Sequence, residues 1–245
     1  PVREDPAVPP DRHRARRGRR IQAQDHHGAK LTFDHGVFVG YVRGACTDKG
    51  GVALALVEVT EPGFGIELDL VYASDRNFTG RPVYAVAHGF LRLEAAQRLR
   101  PVVNAAAGLG LRFRILDAFR PTEAQWVLWR HTPDPDFLAP PWVGSPHSRG
   151  VALDLTLIGA DGAPLEMGTA FDAFTPLSHH GSTEVSVAAR RNRLLLLGLM
   201  TAAGWRHYEK EWWHYQLPDS RRYPLISDSA VPKPLMTRDG HALAS

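Results

Sequence analysis

The sequence predicts an α+β fold, a central antiparallel sheet with flanking helices. Three observations carry that expectation. Leu111-Arg-Phe-Arg-Ile-Leu116 alternates strictly between apolar and polar residues, the period of a half-buried strand. Trp205 to Glu209 and Trp212 to Leu217 read as an antiparallel pair closing the chain's ordered part. Strand-like and helix-like runs are segregated rather than regularly alternating, which argues against a doubly wound sheet.

Taken in order, residues 1–30 are polar, rich in Pro and Arg and without apolar periodicity, the composition of a disordered basic extension. Leu31 to Val42 and Val52 to Val59 hold short β-prone runs around Lys49-Gly-Gly51, so residues 31–60 are expected to form a hairpin-like β-rich extension. The catalytic-sized domain is placed at 61–225. Within it, Glu67 to Tyr72 alternates and reads as a strand, and Asn77-Phe-Thr-Gly80 as a loop. Leu91 to Ala107 has apolar residues at helical spacing and stops at Gly108 and Gly110. Thr122 to His131 looks helical, with Thr122 as its cap. Residues 132–146 carry five prolines and form a loop. Val151 to Ile158 is a strand, turned by Ala160-Asp-Gly-Ala163, and 164–183 is mostly irregular. Glu184 to Ala203 is a long helix ended by Gly204. Residues 226–245 read as a C-terminal tail.

The chain has 245 residues and 44% hydrophobic content, enough for one substantial core. No run of about 18 apolar residues occurs, so no membrane span is expected. No apolar segment follows the basic stretch in the manner of a secretory signal, so the expected location is the cytoplasm, although Pro1 leaves the natural start open. Seven Arg and three acids in residues 1–20 account for the net charge of +3; the remainder is near neutral. With no aromatic residue in that tail to stack on bases, it reads as a solvated extension, and no nucleic-acid partner is expected. Cys46 is the only cysteine, which excludes an internal disulfide and a thiolate metal cluster; a buried or incidental thiol is the expectation.

The chemistry concentrates in two segments, Ser145-Pro-His-Ser-Arg-Gly-Val-Ala-Leu-Asp154 and Glu211-Trp-Trp-His214. His147, Asp154 and His214 offer two imidazoles and one carboxylate, the ligand set of a catalytic zinc with one position left open. Glu211, a carboxylate beside the same site but not a ligand, is a candidate general base. His147 and Asp154 are seven residues apart, so a straight strand would set them on opposite faces; Gly150 is placed to bend the chain between them. Asp154 sits in an apolar strand where a lone charge is expensive, so it needs a cation; pairing with an Arg or backbone donors is the competing reading. A turn at Glu211 would let that residue fold back beside His214, and the adjacent tryptophans would raise its pKa. A surface Glu on an aromatic core strand is the alternative. Pro121 favours an extended Arg120, whose guanidinium could stabilise an oxyanion or simply pair with Asp117.

Together these patterns resemble the zinc D,D-peptidases. Four further segments narrow the likeness: Tyr72-Ala-Ser-Asp-Arg-Asn-Phe-Thr-Gly80, Asp117-Ala-Phe-Arg-Pro121, Met167-Gly-Thr-Ala-Phe-Asp172 with Ser178-His-His180, and Glu211-Trp-Trp-His-Tyr215. They are similar to the D-alanyl-D-alanine dipeptidases known from vancomycin resistance, over about residues 66–218. The resemblance implies the D,D-peptidase-like architecture and one Zn2+ per chain on His147, Asp154 and His214. It implies Glu211 as base and Arg120 as oxyanion stabiliser. It implies Asp172 and Tyr72 at the substrate ammonium and Ser145 near the substrate carboxylate, the substrate being a small dipeptide. A charged anchor at each end of a closed cavity would measure substrate length. His179 and His180 match family positions, and structural hydrogen bonding is expected of them. Residues 1–60 and the loop 132–146 depart from the family. The rival expectations are a D,D-carboxypeptidase acting on longer muropeptides and a non-catalytic zinc-binding recognition module. The first would lack the Asp172 anchor, and the second would need neither Glu211 nor Arg120.

Overall fold

The computed structural model describes residues 56–231 and 233–236, together with the strand backbone of 46–47 and 53–54. All lie in the unit Leu31–Ser245. The expectations for residues 1–30, for the Leu31 to Val42 half of the hairpin and for the Cys46 side chain fall outside the described residues.

The strands are β1 (Cys46–Thr47), β2 (Ala53–Leu54), β3 (Leu56–Val59), β4 (Glu67–Leu68), β5 (Gly89–Arg92), β6 (Arg112–Asp117), β7 (Ala152–Ile158), β8 (Arg206–Tyr208) and β9 (Glu211–Gln216). The α-helices are α1 (Glu61–Phe64), α2 (Leu93–Ala107), α3 (Thr122–His131) and α4 (Val187–Ala202). The central sheet runs β4-β6-β7-β9-β8; every neighbouring pair is antiparallel except the short edge strand β4, which is parallel to β6. β1 pairs with β2, and β3 with β5, in two separate antiparallel pairs.

Every residue of β7 is buried, which explains its nearly continuous apolar sequence. Leu153, Leu155 and Leu157 alternate onto the face covered by Leu99, Val102 and Ala106 of α2 and Leu196 and Met200 of α4. Each such side chain, taken fully out of water, contributes about 1.5–3 kcal/mol. The opposite face of β7 presents Asp154, and it is this face that carries the chemistry. A second apolar cluster gathers Tyr72, Tyr84 and Phe119 with Ala124 and Leu128 of α3.

The structure corrects the expected boundaries. Leu56, Val57 and Val59 are buried in β3, so the body begins before residue 61. The expected tail is laced to the body as far as Met236. Ile226, Val231 and Leu235 are buried, and the fully buried Asp228 accepts the N–H groups of Leu235 and Met236 at 2.6 and 3.2 Å. Gly89 to Arg92 forms a strand leading straight into α2, where a single helix from Leu91 was expected. The expected strand 67–72 stops at Leu68 and becomes a 3-10 turn, Val71–Ala73, which buries Tyr72. Thr122 is the first helical residue of α3 and not its cap; Pro121 holds the cap position. Ser186 does cap α4, accepting the Ala189 N–H at 3.0 Å.

Candidate metal centre

The strand register assembles the centre. Asp117 of β6 lies opposite Asp154 of β7, which lies opposite His214 of β9, so three polar residues form one row across three neighbouring strands. Directly paired residues project to the same face. The row depends on a bulge: Ile115 pairs with Leu155, yet the next pair is Asp117 with Asp154, so Leu116 is the extra residue. Without it Leu116, not Asp117, would stand beside Asp154.

His147 reaches the row from a 3-10 turn, His147–Arg149, ended by Gly150 at φ 69°. That left-handed conformation favours glycine, and a Cβ there would lie 3.2 Å from Leu56 and 3.3 Å from Arg92. The bend expected at Gly150 is present.

His147 Nε2, His214 Nδ1 and Asp154 Oδ1 form a triangle with sides of 3.0, 3.1 and 3.3 Å. Two tetrahedral ligands, each about 2.0–2.1 Å from a zinc-sized ion, would be about 3.3–3.4 Å apart. The remaining ring nitrogens are engaged elsewhere. His147 Nδ1 lies 2.7 Å from the Ala118 carbonyl oxygen, and His214 Nε2 lies 3.1 Å from Gln216 Oε1. With protons on those outer nitrogens, the inner two present lone pairs toward the carboxylate. Three acceptors converging in a buried site suit a cation, and these three residues are the group among the described residues able to hold one. Burial works to raise the Asp154 carboxyl; protonated His147 and His214 hold it well below the usual carboxylate range, a positive charge that a bound metal would supply in their place.

Glu211 opens β9, and its Oε2 lies 3.9 Å from His214 Nδ1. Residues three apart on a regular strand face opposite ways. Here the pairing jumps from His207 with Tyr215 to Tyr208 with Glu211, an irregularity that frees the two side chains to meet. Burial, reinforced by the Asp154 charge and opposed by Arg120, pushes the Glu211 carboxyl well up from its ordinary value.

Arg120 is held on four sides. Its guanidinium donates to Asp117 Oδ2 at 2.8 Å, to Gln125 Oε1 at 3.1 Å and to Asp154 Oδ2 at 3.5 Å, and it lies 4.8 Å from the centroid of the Tyr72 ring. Arg120 thus pairs with Asp117, one of the two sequence expectations, and also reaches Asp154 in the row. Asp117, fully buried, accepts the Tyr84 hydroxyl at 2.9 Å as well.

Tyr72 donates its hydroxyl to Asp172 Oδ2 at 2.8 Å. Asp172 adopts φ 57°, uncommon outside glycine and easier for Asp than for most residues. It is half-buried, and the protein mass around it raises its carboxyl well above the ordinary value, aided by Asp154 and Glu211 and opposed by Arg120 and the Tyr72 hydrogen bond. Ser145 is buried beside the centre, where its Oγ accepts the His147 N–H at 3.2 Å. His179 and His180 lie outside the triangle. The His179 carbonyl accepts from Arg193, and the His180 ring lies 3.5 Å from the Tyr215 hydroxyl.

Three residues here had no sequence signal. Gln125 ties Arg120 to the Ala139 carbonyl, donating to it at 2.8 Å. Arg193, 1% exposed, donates to the carbonyls of Met167 and His179, on either side of Asp172. Tyr208 sets its ring 6.2 Å from that of His214. An open recess of about 920 Å³ lies elsewhere, between α1, β4 and β6. Four of its charged residues pair among themselves, Arg76 with Asp69 and Arg114 with Glu67, and none of the metal-centre residues lines it.

A family model described as D-ala-D-ala dipeptidase matches residues 52–232. A D-alanyl-D-alanine dipeptidase of Escherichia coli (strain K12) is 42% identical over 163 residues, covering 66% of this chain and 84% of the relative. One of Enterococcus faecium is 33% identical over 176 residues, covering 63% and 87%. One of Streptomyces coelicolor (strain ATCC BAA-471 / A3(2) / M145) is 33% identical over 179 residues, with the same coverage.

Proposed function

The chain belongs to the D-ala-D-ala dipeptidase family of metallopeptidases, and from that premise we propose that it is a zinc enzyme hydrolysing D-alanyl-D-alanine to two molecules of D-alanine. In this reading the catalytic unit runs from Leu56 to Met236. The observation that carries it is the pairing of a cation-ready triangle, His147, Asp154 and His214, with a second carboxylate, Asp172, held by Tyr72 and within electrostatic reach of the first.

Zinc bound to the three ligands supplies Lewis-acid polarisation and brings the acidity of water toward neutrality. The chain's own residues do the rest. Glu211, with its raised pKa, accepts the proton of the attacking water and passes it to the leaving amine. Arg120, fixed by Asp117 and Gln125, aims its guanidinium at the oxyanion of the tetrahedral intermediate without reorganising. Asp172 receives the substrate's α-ammonium, which relieves its crowding by Asp154 and Glu211. Ser145 stands at the substrate's carboxylate end. The biological role that follows is removal of the dipeptide from the supply of cell-wall precursors, in the cytoplasm, either as glycopeptide resistance or as D-alanine recycling.

The test is D-alanine release by the zinc-loaded protein from D-Ala-D-Ala and from its N-acetyl derivative. An ammonium anchor predicts that acetylation lowers kcat/KM by on the order of 10²-fold or more. Equal turnover of the two would point to a carboxypeptidase. Bound zinc with no turnover of either would point to a recognition module.

A further inference from the structure

The proline-rich loop 132–146 lies across the site. It leaves α3, which carries the Arg120 partner Gln125, and it ends at Ser145 and His147. Two adjacent residues midway along it grip opposite sides. Asp136 is held by the end of β8 and the turn after it: Lys210 Nζ donates to its carboxylate at 2.6 Å and the Tyr208 hydroxyl to its carbonyl at 3.0 Å. Tyr208 is the residue whose ring approaches His214, so this grip is on the metal side. Phe137 stacks on Phe174, centroids 4.8 Å apart and planes at 23°. Phe174 meets Phe78 at 5.0 Å, and Phe78 meets Tyr72 at 6.2 Å. Since Tyr72 holds Asp172, the second grip is on the ammonium side.

The chemistry of the two grips differs. Phe137, Phe174 and Phe78 are all half-buried, a continuous aromatic wall beyond the carboxylate that receives the amino group. The Lys210 and Asp136 side chains are 35% and 68% exposed, and an ion pair open to solvent contributes little to stability. A fastening that contributes little to folding and joins two rims of a site is suited to closure and release. Within the loop Leu138 is buried, while Trp142, 67% exposed, rests its ring 5.3 Å from that of Trp129.

We infer that residues Asp136 and Phe137 are specificity-determining, forming a strap whose aromatic wall blocks any extension of the substrate beyond the amino group at Asp172. The inference rests on the dipeptidase reading and adds the residues that enforce substrate length. Replacing Phe137 opens the wall directly. Releasing Asp136 loosens the strap from the metal side.

The experiment compares D-Ala-D-Ala with a tripeptide ending in D-Ala-D-Ala, using zinc-loaded full-length protein and three variants, Phe137→Ala, Lys210→Ala and Tyr208→Phe. The expected result is a rise of about tenfold or more in the tripeptide-to-dipeptide ratio of kcat/KM for Phe137→Ala, with a smaller rise in the other two. Lys210→Ala alters an exposed side chain and Tyr208→Phe removes one hydroxyl, so both keep the test open if Phe137→Ala fails to fold. Wild-type protein that cleaves the dipeptide, with folded variants whose ratio is unchanged, overturns the strap and leaves the dipeptidase reading intact. Wild-type protein that does not cleave the dipeptide at all overturns the dipeptidase reading, and this inference with it.

Discussion

The Tyr72 hydroxyl donates to Asp172 at 2.8 Å across a hundred residues of sequence. The bond joins the 3-10 turn Val71–Ala73 to the irregular segment before α4, and it fixes a carboxylate that adopts a left-handed backbone conformation. Tyr72→Phe keeps the ring contacts and removes only this bond. It should raise KM for D-Ala-D-Ala by roughly five- to tenfold, the loss of one hydrogen bond, with kcat less affected. Asp172→Asn should lower kcat/KM by on the order of 10²-fold, since it removes the counter-charge itself. Steady-state kinetics check both, and an unchanged KM in both would remove Asp172 from the substrate's amino end.

Arg193 makes a less intuitive prediction. Its guanidinium is buried, it donates to Met167 and His179 at 2.7 and 2.8 Å, and no ion pair to it occurs among the described residues. Arg193→Met leaves two carbonyls without their donor, so it should destabilise the protein by roughly 2 kcal/mol or more. It should also raise KM severalfold, because the segment carrying Asp172 loses both ties. Thermal midpoint and KM, measured on the same sample, separate the two effects.

His180 supplies a pH dependence. Burial first, then the charges of His207 and Arg193, push its pKa down from 6.5 to about 4. The folded state thus keeps a neutral imidazole, while the unfolded chain takes up a proton below about pH 6.5. The resulting stability is fully present above that value and is lost as pH falls from 6.5 toward about 4. Urea unfolding across this window should show wild-type stability falling more steeply than that of His180→Gln. Parallel curves would contradict the assignment.

Metal binding to the folded state alone adds stability. Zinc held at a hundred times its dissociation constant should stabilise the protein by about 2.7 kcal/mol, and a chelator should reverse it. His214→Ala and Asp154→Ala should each abolish the zinc-dependent shift in thermal midpoint. A full shift in either variant would place the metal elsewhere.

Much of this was legible in the sequence for a physical reason. Strict alternation in Leu111 to Leu116 has the period of a strand, and the apolar run Val151 to Ile158, bounded by Gly150 and Gly159, is short for a helix; the structure has strands there. Asp154 was legible because it interrupts the apolar run Val151 to Ile158, and His147 and His214, in polar and aromatic surroundings, were legible only as a set with it. Gly89 to Arg92 was not, because Phe90 and Leu91 merge into the helical period of α2. Nor was the packing of 226–236, whose buried residues Ile226, Val231 and Leu235 follow no period and are held by one buried carboxylate, Asp228. The bulge at Leu116 that sets Asp117 beside Asp154 leaves no mark in a single sequence. Gln125 and Arg193 look like ordinary polar residues of amphipathic helices until their partners are known.

Glu211 is the group proposed to move the proton in a metal-dependent cleavage of D-Ala-D-Ala. The most direct measurement is kcat of Glu211→Gln beside wild-type protein, with zinc content matched by elemental analysis. Equal zinc and a fall in kcat on the order of 10³-fold are expected, since the amide keeps the shape and loses the base. A variant at equal zinc content whose kcat stays within about tenfold of wild type would contradict it.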